Sequence, residues 1–158
     1  MSIVLCRIDD RLIHGQVVIG WGRALSINLI ILVDDHVAAS DWEQELYRMS
    51  VSPDIEVRFV TVAQASRQMA EWESNGKRGL VLTGDLETMA ALHHASPQLI
   101  HRINLGGIHH RAGRRERLPF LYLTDQELRT LLELESRGAE ITAQDLPTTP
   151  AVPLRNLP

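Results

Sequence analysis

The run Asn28-Leu29-Ile30-Ile31-Leu32-Val33, free of charge and ending in Asp34-Asp35, constrains the fold more than any other stretch. Neighbouring side chains of a strand point to opposite faces, so an unbroken apolar run needs cover on both. That is the condition of a strand inside a parallel sheet with helices on each side. Ile3-Val4-Leu5 and Gly79 to Thr83 read the same way, and Leu99 to Leu105 supplies a further strand.

Helical spacing fills the gaps. Gln16 to Leu25 carries Val17, Val18, Trp21 and Leu25 three and four residues apart, the mark of one buried face. Gly20 and Gly22 fall inside this helix and not in the preceding turn, so they read as close-packing positions and not as a G-x-G-x-x-G dinucleotide fingerprint. Ser40-Asp41-Trp42-Glu43, Thr61-Val62-Ala63-Gln64 and Thr124-Asp125-Gln126-Glu127 have the capping-box pattern. They predict helices to about Ser50, to about Ser74, and along Leu128, Leu131, Leu132 and Leu134 up to Gly138. Thr83-Gly84-Asp85 opens another, to about Ala95. Glu56 to Val60, Pro119 to Leu123 and Glu140 to Ala143 complete the strands, with a turn at Asn75-Gly76 and a flexible one at Gly106-Gly107. Trp42 and Trp72 are expected to pack helices. The four prolines from Pro147 onward predict an extended arm, 147–158, outside the core. The pattern predicts one α/β domain over 1–158, with no internal repeat.

Between the first strand and the first helix stands Arg7-Ile8-Asp9-Asp10-Arg11-Leu12-Ile13-His14-Gly15-Gln16-Val17. A strand-to-helix turn in an open α/β sheet lies at the carboxyl end of the strand, where ligands bind. The helix start offers the amides of Gly15, Gln16 and Val17 to an anion. Two arginines, two aspartates and a histidine at that point suit phosphate chemistry. Arg-Asp pairs are also common as solvated ion pairs of little energetic value, so residue types alone leave both readings standing.

A formal net charge of −4 argues against nucleic acid as a main partner. Arg111, Arg114, Arg115 and Arg117 nonetheless make a local basic cluster, either a patch that steers an acidic or phosphorylated partner or a solvated loop. The single cysteine, Cys6, lies in the first strand and fits a packing role in a reducing compartment. The opening Met1-Ser2-Ile3-Val4 lacks the look of a signal peptide and no apolar run approaches about 18 residues. These features predict a soluble, cytoplasmic chain whose membrane links run through partners. Asp34-Asp35 and His109-His110 invite a metal reading, but neither pair comes with a coherent ligand set. No metal site or cofactor is expected, and Asp34 or Asp35 is expected either at the rim of the His14 pocket or solvated in its loop.

Taken as a whole, the motif Arg7 to Val17 resembles the active-site motif of the enzyme IIB components of the mannose/fructose/sorbose family of the bacterial phosphoenolpyruvate-dependent sugar phosphotransferase system. The similarity continues through Ile30-Ile31-Leu32-Val33-Asp34-Asp35, Ile103-Asn104-Leu105-Gly106-Gly107 and Arg137-Gly138-Ala139-Glu140-Ile141. The resemblance implies a doubly wound, mostly parallel sheet with one antiparallel strand near the C-terminus. It implies that His14 is phosphorylated, at Nδ1, by a phosphohistidine on enzyme IIA, and that the group passes to a sugar imported by membrane components IIC and IID. Arg11 is then the first candidate to stabilise the transferring phosphoryl group, and Arg7 the candidate for support or for contact with the partner protein. Asp9 or Asp10 orients the imidazole or Arg11. The resemblance also brings the loop after Gly107 near the site, where Arg111 can meet phosphate, and makes Thr83 a neighbour; it leaves His109 and His110 without a role. A regulatory phosphorelay of the same family, moving no sugar, is the alternative. The sugar and any homo-oligomer are not readable.

Overall fold

The computed structural model describes residues 3–74 and 76–158. The Asn75-Gly76 turn signal thus falls on one residue, Asn75, outside the described set, as do Met1 and Ser2 of the opening segment. Strands β1 (Ile3–Ile8), β2 (Leu29–Val33), β3 (Glu56–Val60), β4 (Gly79–Thr83), β5 (Arg102–Leu105) and β8 (Glu140–Ala143) form one sheet with β9 (Val152–Pro153), in the order β3-β2-β4-β1-β5-β8-β9. Every pairing in it is parallel except β8 with β9. This is the mostly parallel α/β sheet with an antiparallel strand at its C-terminal edge that the sequence led one to expect.

The apolar run of β2 shows why. Leu29, Ile31 and Val33 enter one core with Trp72, Met89, Leu131 and Ile141, while Ile30 and Leu32 enter a second with Val17, Val37, Leu80 and Leu82. Helices α4 (Val62–Trp72), α5 (Leu86–Ala95) and α6 (Asp125–Ser136) supply the first core. The second is covered by a π-helical segment, Gln16–Trp21, that runs into α1 (Gly22–Ala24), by α2 (Asp35–Ala38) and, through Tyr47, by α3 (Asp41–Met49). Among the described residues no helix is long and apolar enough to cross a membrane.

Several elements differ from the sequence reading. Thr61 and Thr124 make reciprocal capping boxes, but at α3 only Ser40 caps, because the Glu43 carboxylate turns to His36. Trp72 is buried in the core, whereas Trp42 is 71% exposed on α3 beside exposed Leu46 and Met49. The fifth strand begins at Arg102, not Leu99. Pro119 lies in the tight turn of an antiparallel hairpin, β6 (Arg115–Leu118) with β7 (Leu121–Leu123), whose first strand was hidden by its charges. A proline cannot donate to a ladder and so takes the turn. The arginine cluster is also divided. Arg117 is buried and bonded to the carbonyls of Leu123 and Pro158 and to Asp125, and Arg114 forks onto Glu127; Arg111 and Arg115 stay exposed.

The arm from Pro147 onward is not outside the core. It contributes β9 and buries Leu154 against the first core. Leu154→Ala is therefore expected to cost about 2–5 kcal/mol in urea unfolding. Trp42→Ala is expected to stay within about 0.5 kcal/mol of wild type.

Candidate functional site

Strand order reverses around β1, since β4 pairs on one side of it and β5 on the other. Their carboxyl ends are level, with Ile8 beside both Thr83 and Leu105. The chain leaving β1 is pinned between them: the Asp9 amide donates to the Thr83 carbonyl and the Asp10 amide to the Gly107 carbonyl, each at 2.9 Å. Ligands of open α/β sheets bind at this kind of switch point.

Arg7, near the end of β1, has a wholly buried side chain. Nη1 donates to Asn104 Oδ1 and to the Gln144 carbonyl at 2.8 Å; Nη2 donates to the Asp145 carbonyl at 3.0 Å and to Asp9 Oδ2 at 3.2 Å. The guanidinium also lies 5.1 Å from the Trp21 ring centre, and the Trp21 indole N–H shares the Asp145 carbonyl. Any side chain at Gly106 would collide with this guanidinium, and one at Gly107 would come within 3.0 Å of Arg11. The glycine pair is thus a bed for two arginines, not the flexible turn its composition suggests.

Asp9 joins those arginines. Its Oδ1 accepts the Arg11 amide and Nε at 3.2 and 3.0 Å, and its Oδ2 accepts Arg11 Nη2 at 2.9 Å. Burial by itself would raise the Asp9 pKa; the hydrogen bond from Arg11 and the charges of Arg7 and Arg11 outweigh it and hold the carboxyl below its ordinary range. In return the Asp9 hydrogen bond raises the Arg11 pKa, while burial pulls that of Arg7 down against the pull of Asp9. The Asp145 carboxylate stands 3.7 Å from Arg11. Arg11 remains 30% exposed, with Nη1 not engaged by Asp9.

His14 follows a strained residue. Leu12 has φ +59°, a left-handed conformation that costs a non-glycine residue about 1–2 kcal/mol. Its carbonyl lies 2.8 Å from His14 Nδ1, so that nitrogen carries the proton in this conformation. Nε2 is buried without a hydrogen-bond partner, 3.9 Å from Asp9 Oδ2. The lone pair therefore sits on Nε2 here, and attack through Nδ1, which the family resemblance implies, requires the ring to leave the Leu12 carbonyl and move its proton.

The sequence matches the family described as PTS system sorbose subfamily IIB component over residues 3–157. The chain belongs to this family. It is 31% identical over 156 residues to the N-acetylgalactosamine-specific phosphotransferase enzyme IIB component 2 of Escherichia coli K12, covering 99% of this chain and 98% of that one. It is 29% identical to the mannose-specific EIIAB component of the same organism, covering 99% of this chain and 48% of that protein. The crystal structure of the N-acetylgalactosamine-specific IIB component 1 from Escherichia coli superposes with a TM-score of 0.88 at 28% identity, covering 95% of this chain and 97% of that one.

In this IIB chain some candidates stand elsewhere. Asp34 caps α2 through the Val37 amide and Asp35 accepts the Val62 amide, so both serve helix starts; short carboxylates compete for nearby backbone donors. The Thr83 hydroxyl donates to the Asp85 carbonyl, and only its backbone meets the motif. Val17 points into the core, leaving its backbone alone for an anion, while Gly15 and Gln16 stand at the start of the π-helical segment. Arg111 is exposed on the turn that follows His110. Asp10 meets neither His14 nor Arg11 in a hydrogen bond but takes His109. Asn104, Gln144, Asp145 and Trp21 were missed as parts of the site. The signal for Gln144 and Asp145 was their place just past the carboxyl end of a parallel strand.

Asp9→Asn leaves a buried arginine without its anion and is expected to cost about 3–5 kcal/mol. The Asp9 pKa is lower folded than unfolded, so its stabilising effect is complete above about pH 4–5 and is lost as pH falls through the folded value. Urea unfolding between neutral and acid pH checks both: the variant should be less stable at neutral pH and lose less on acidification.

Proposed function

We propose that this IIB chain is a phosphocarrier: His14 accepts a phosphoryl group from phospho-enzyme IIA and passes it to a sugar imported by the membrane components IIC and IID. The observation that carries the reading is a histidine with one unpartnered ring nitrogen beside the buried Arg7-Asp9-Arg11 cluster, at the carboxyl edge of the sheet. Family membership supports it, and so does a relative whose name joins IIA with IIB.

Phosphoryl transfer passes through a loose transition state with charge spread over the peripheral oxygens, so catalysis is chiefly positioning and charge stabilisation. Neutral imidazole supplies the lone pair. Arg11 is held by Asp9 through Nε and Nη2, which leaves Nη1 for a phosphoryl oxygen. Arg7 holds Asp9 from below and is too deeply buried to meet a donor protein. The amides of Gly15, Gln16 and Val17 complete the cradle, and Arg111 is the cation assigned to the incoming group from the loop side. Because the charge is met by fixed dipoles and guanidinium groups, neither metal nor cofactor is assigned to the step. The carrier works on the cytoplasmic side, held to the membrane by its permease partners.

His14→Ala is expected to retain the fold by circular dichroism and to take up no phosphoryl group by intact mass after incubation with phosphoenolpyruvate, the general phosphotransferase proteins and a matching IIA. Uptake by this variant would sink the assignment. Arg11→Ala should slow transfer in both directions by roughly 10²–10³-fold, because it acts on the shared transition state; rapid-quench kinetics at wild-type rates would remove Arg11 from the mechanism.

A further inference from the structure

Asp9 and Asp10 are adjacent, yet only Asp9 is consumed by the arginine cluster. Asp10, 17% exposed, grips one residue of the next loop at two points. Oδ2 accepts the His109 amide at 2.7 Å, and Oδ1 accepts His109 Nδ1 at 2.5 Å. The His109 ring is otherwise open, 66% exposed. An ordinary surface histidine turns freely; this one is held by a carboxylate that accepts a hydrogen bond from its Nδ1–H, which in the neutral ring leaves the lone pair on Nε2. The same logic presents the base in a Ser-His-Asp triad.

Through Asp10 the ring is joined to the motif that carries His14. The Asp10 amide donates to the Gly107 carbonyl, a Cβ at Gly107 would meet the Arg11 guanidinium, and His109 is two residues further on. From the other side the Arg114 guanidinium donates to the His109 carbonyl and forks onto Glu127, tying the loop to the start of α6. The charged groups around the ring are thus Asp10 from the motif, with Arg11 beyond it, and Arg114 paired to Glu127. His110 is turned away, edge-on to Tyr122.

We propose that His109, oriented by Asp10, is the general base for the second half of the carrier's cycle, the delivery of phosphoryl to a sugar hydroxyl. The inference rests on the phosphocarrier reading given above. Transfer from one histidine to another releases no hydroxyl proton, so loading His14 needs no such base. Delivery does: the hydroxyl oxygen forms a bond to phosphorus, the nitrogen–phosphorus bond to His14 breaks with its electron pair returning to the ring, and the hydroxyl proton passes to His109 Nε2 and then to water. The carboxylate beside His14, that of Asp9, is a poor base. The Asp9 carboxylate is saturated by Arg7 and Arg11, and its proton affinity is lowered by them. An imidazole is matched to proton transfer near neutral pH.

The test separates the two steps. The full chain is loaded with labelled phosphoryl from phosphoenolpyruvate through a matching IIA, then chased with membranes carrying IIC and IID of the same system and N-acetylgalactosamine, mannose, fructose or sorbose offered in turn. His109→Asn should load His14 at the wild-type rate and form sugar phosphate about 10²-fold more slowly or worse. The wild-type delivery rate should fall at acid pH and that of the variant should not, and imidazole in the buffer should restore part of the variant's rate. Asp10→Asn, which keeps the ring but removes its anchor, should show a smaller loss on the same step. Wild-type delivery by His109→Asn, or equal slowing of both steps, would overturn the proposal. Failure of the unsubstituted chain to load His14 would instead overturn the phosphocarrier reading, and the proposal with it.

Discussion

The buried contact between Arg7 and Asp9 is the constraint to which the rest of the site conforms. A guanidinium taken fully out of water costs several kcal/mol unless its donors are met, and here four acceptors from three separate parts of the chain meet Nη1 and Nη2, leaving only Nε without a partner. The β5 strand supplies Asn104, the segment after β8 supplies two carbonyls, and Trp21 covers a face. Gly106 is glycine because the guanidinium occupies the space a side chain would need. Asp9, fixed from beneath by Arg7, can then hold Arg11 in a fork without giving up its negative charge. The arginine nearest to solvent is positioned by an anion that is itself positioned from the core.

Adjacent residues leaving a strand point to opposite sides, and the chain uses that alternation to give two aspartates different work. Asp9 points toward the arginines, and Asp10 points toward the loop after β5 and its His109. The motif thus orients two imidazole rings, its own His14 through a strained Leu12 carbonyl and His109 of the loop after β5 through a carboxylate. Their environments differ: His14 is mostly enclosed beside guanidinium groups, and His109 is open to water.

Features of the sequence that report local physics were read well. The unbroken apolar run of β2 implied cover on both faces, and the Thr61 and Thr124 capping boxes are present atom for atom. Features whose meaning depends on distant partners were not. Asp34 and Asp35 look like site carboxylates and cap helices; Arg114 and Arg117 look like a basic patch and are internal struts. Trp42 looks like core and faces solvent, while the proline-rich ending looks like an arm and buries Leu154.

Sequence alone determined the class of sheet, the place of the Arg7 to Val17 motif at a strand-to-helix turn and the residue types gathered there, because backbone alternation, helix period and capping act over a few residues. Only the tertiary structure decided which aspartate serves which partner, that Asn104, Gln144 and Asp145 anchor Arg7, and that Asp10 holds His109. Those outcomes follow from desolvation: a charge buried at the end of β1 recruits whatever polar groups the neighbouring strands bring level with it. That register is set by pairing between strands far apart in the chain, β1 with β5 and β5 with β8.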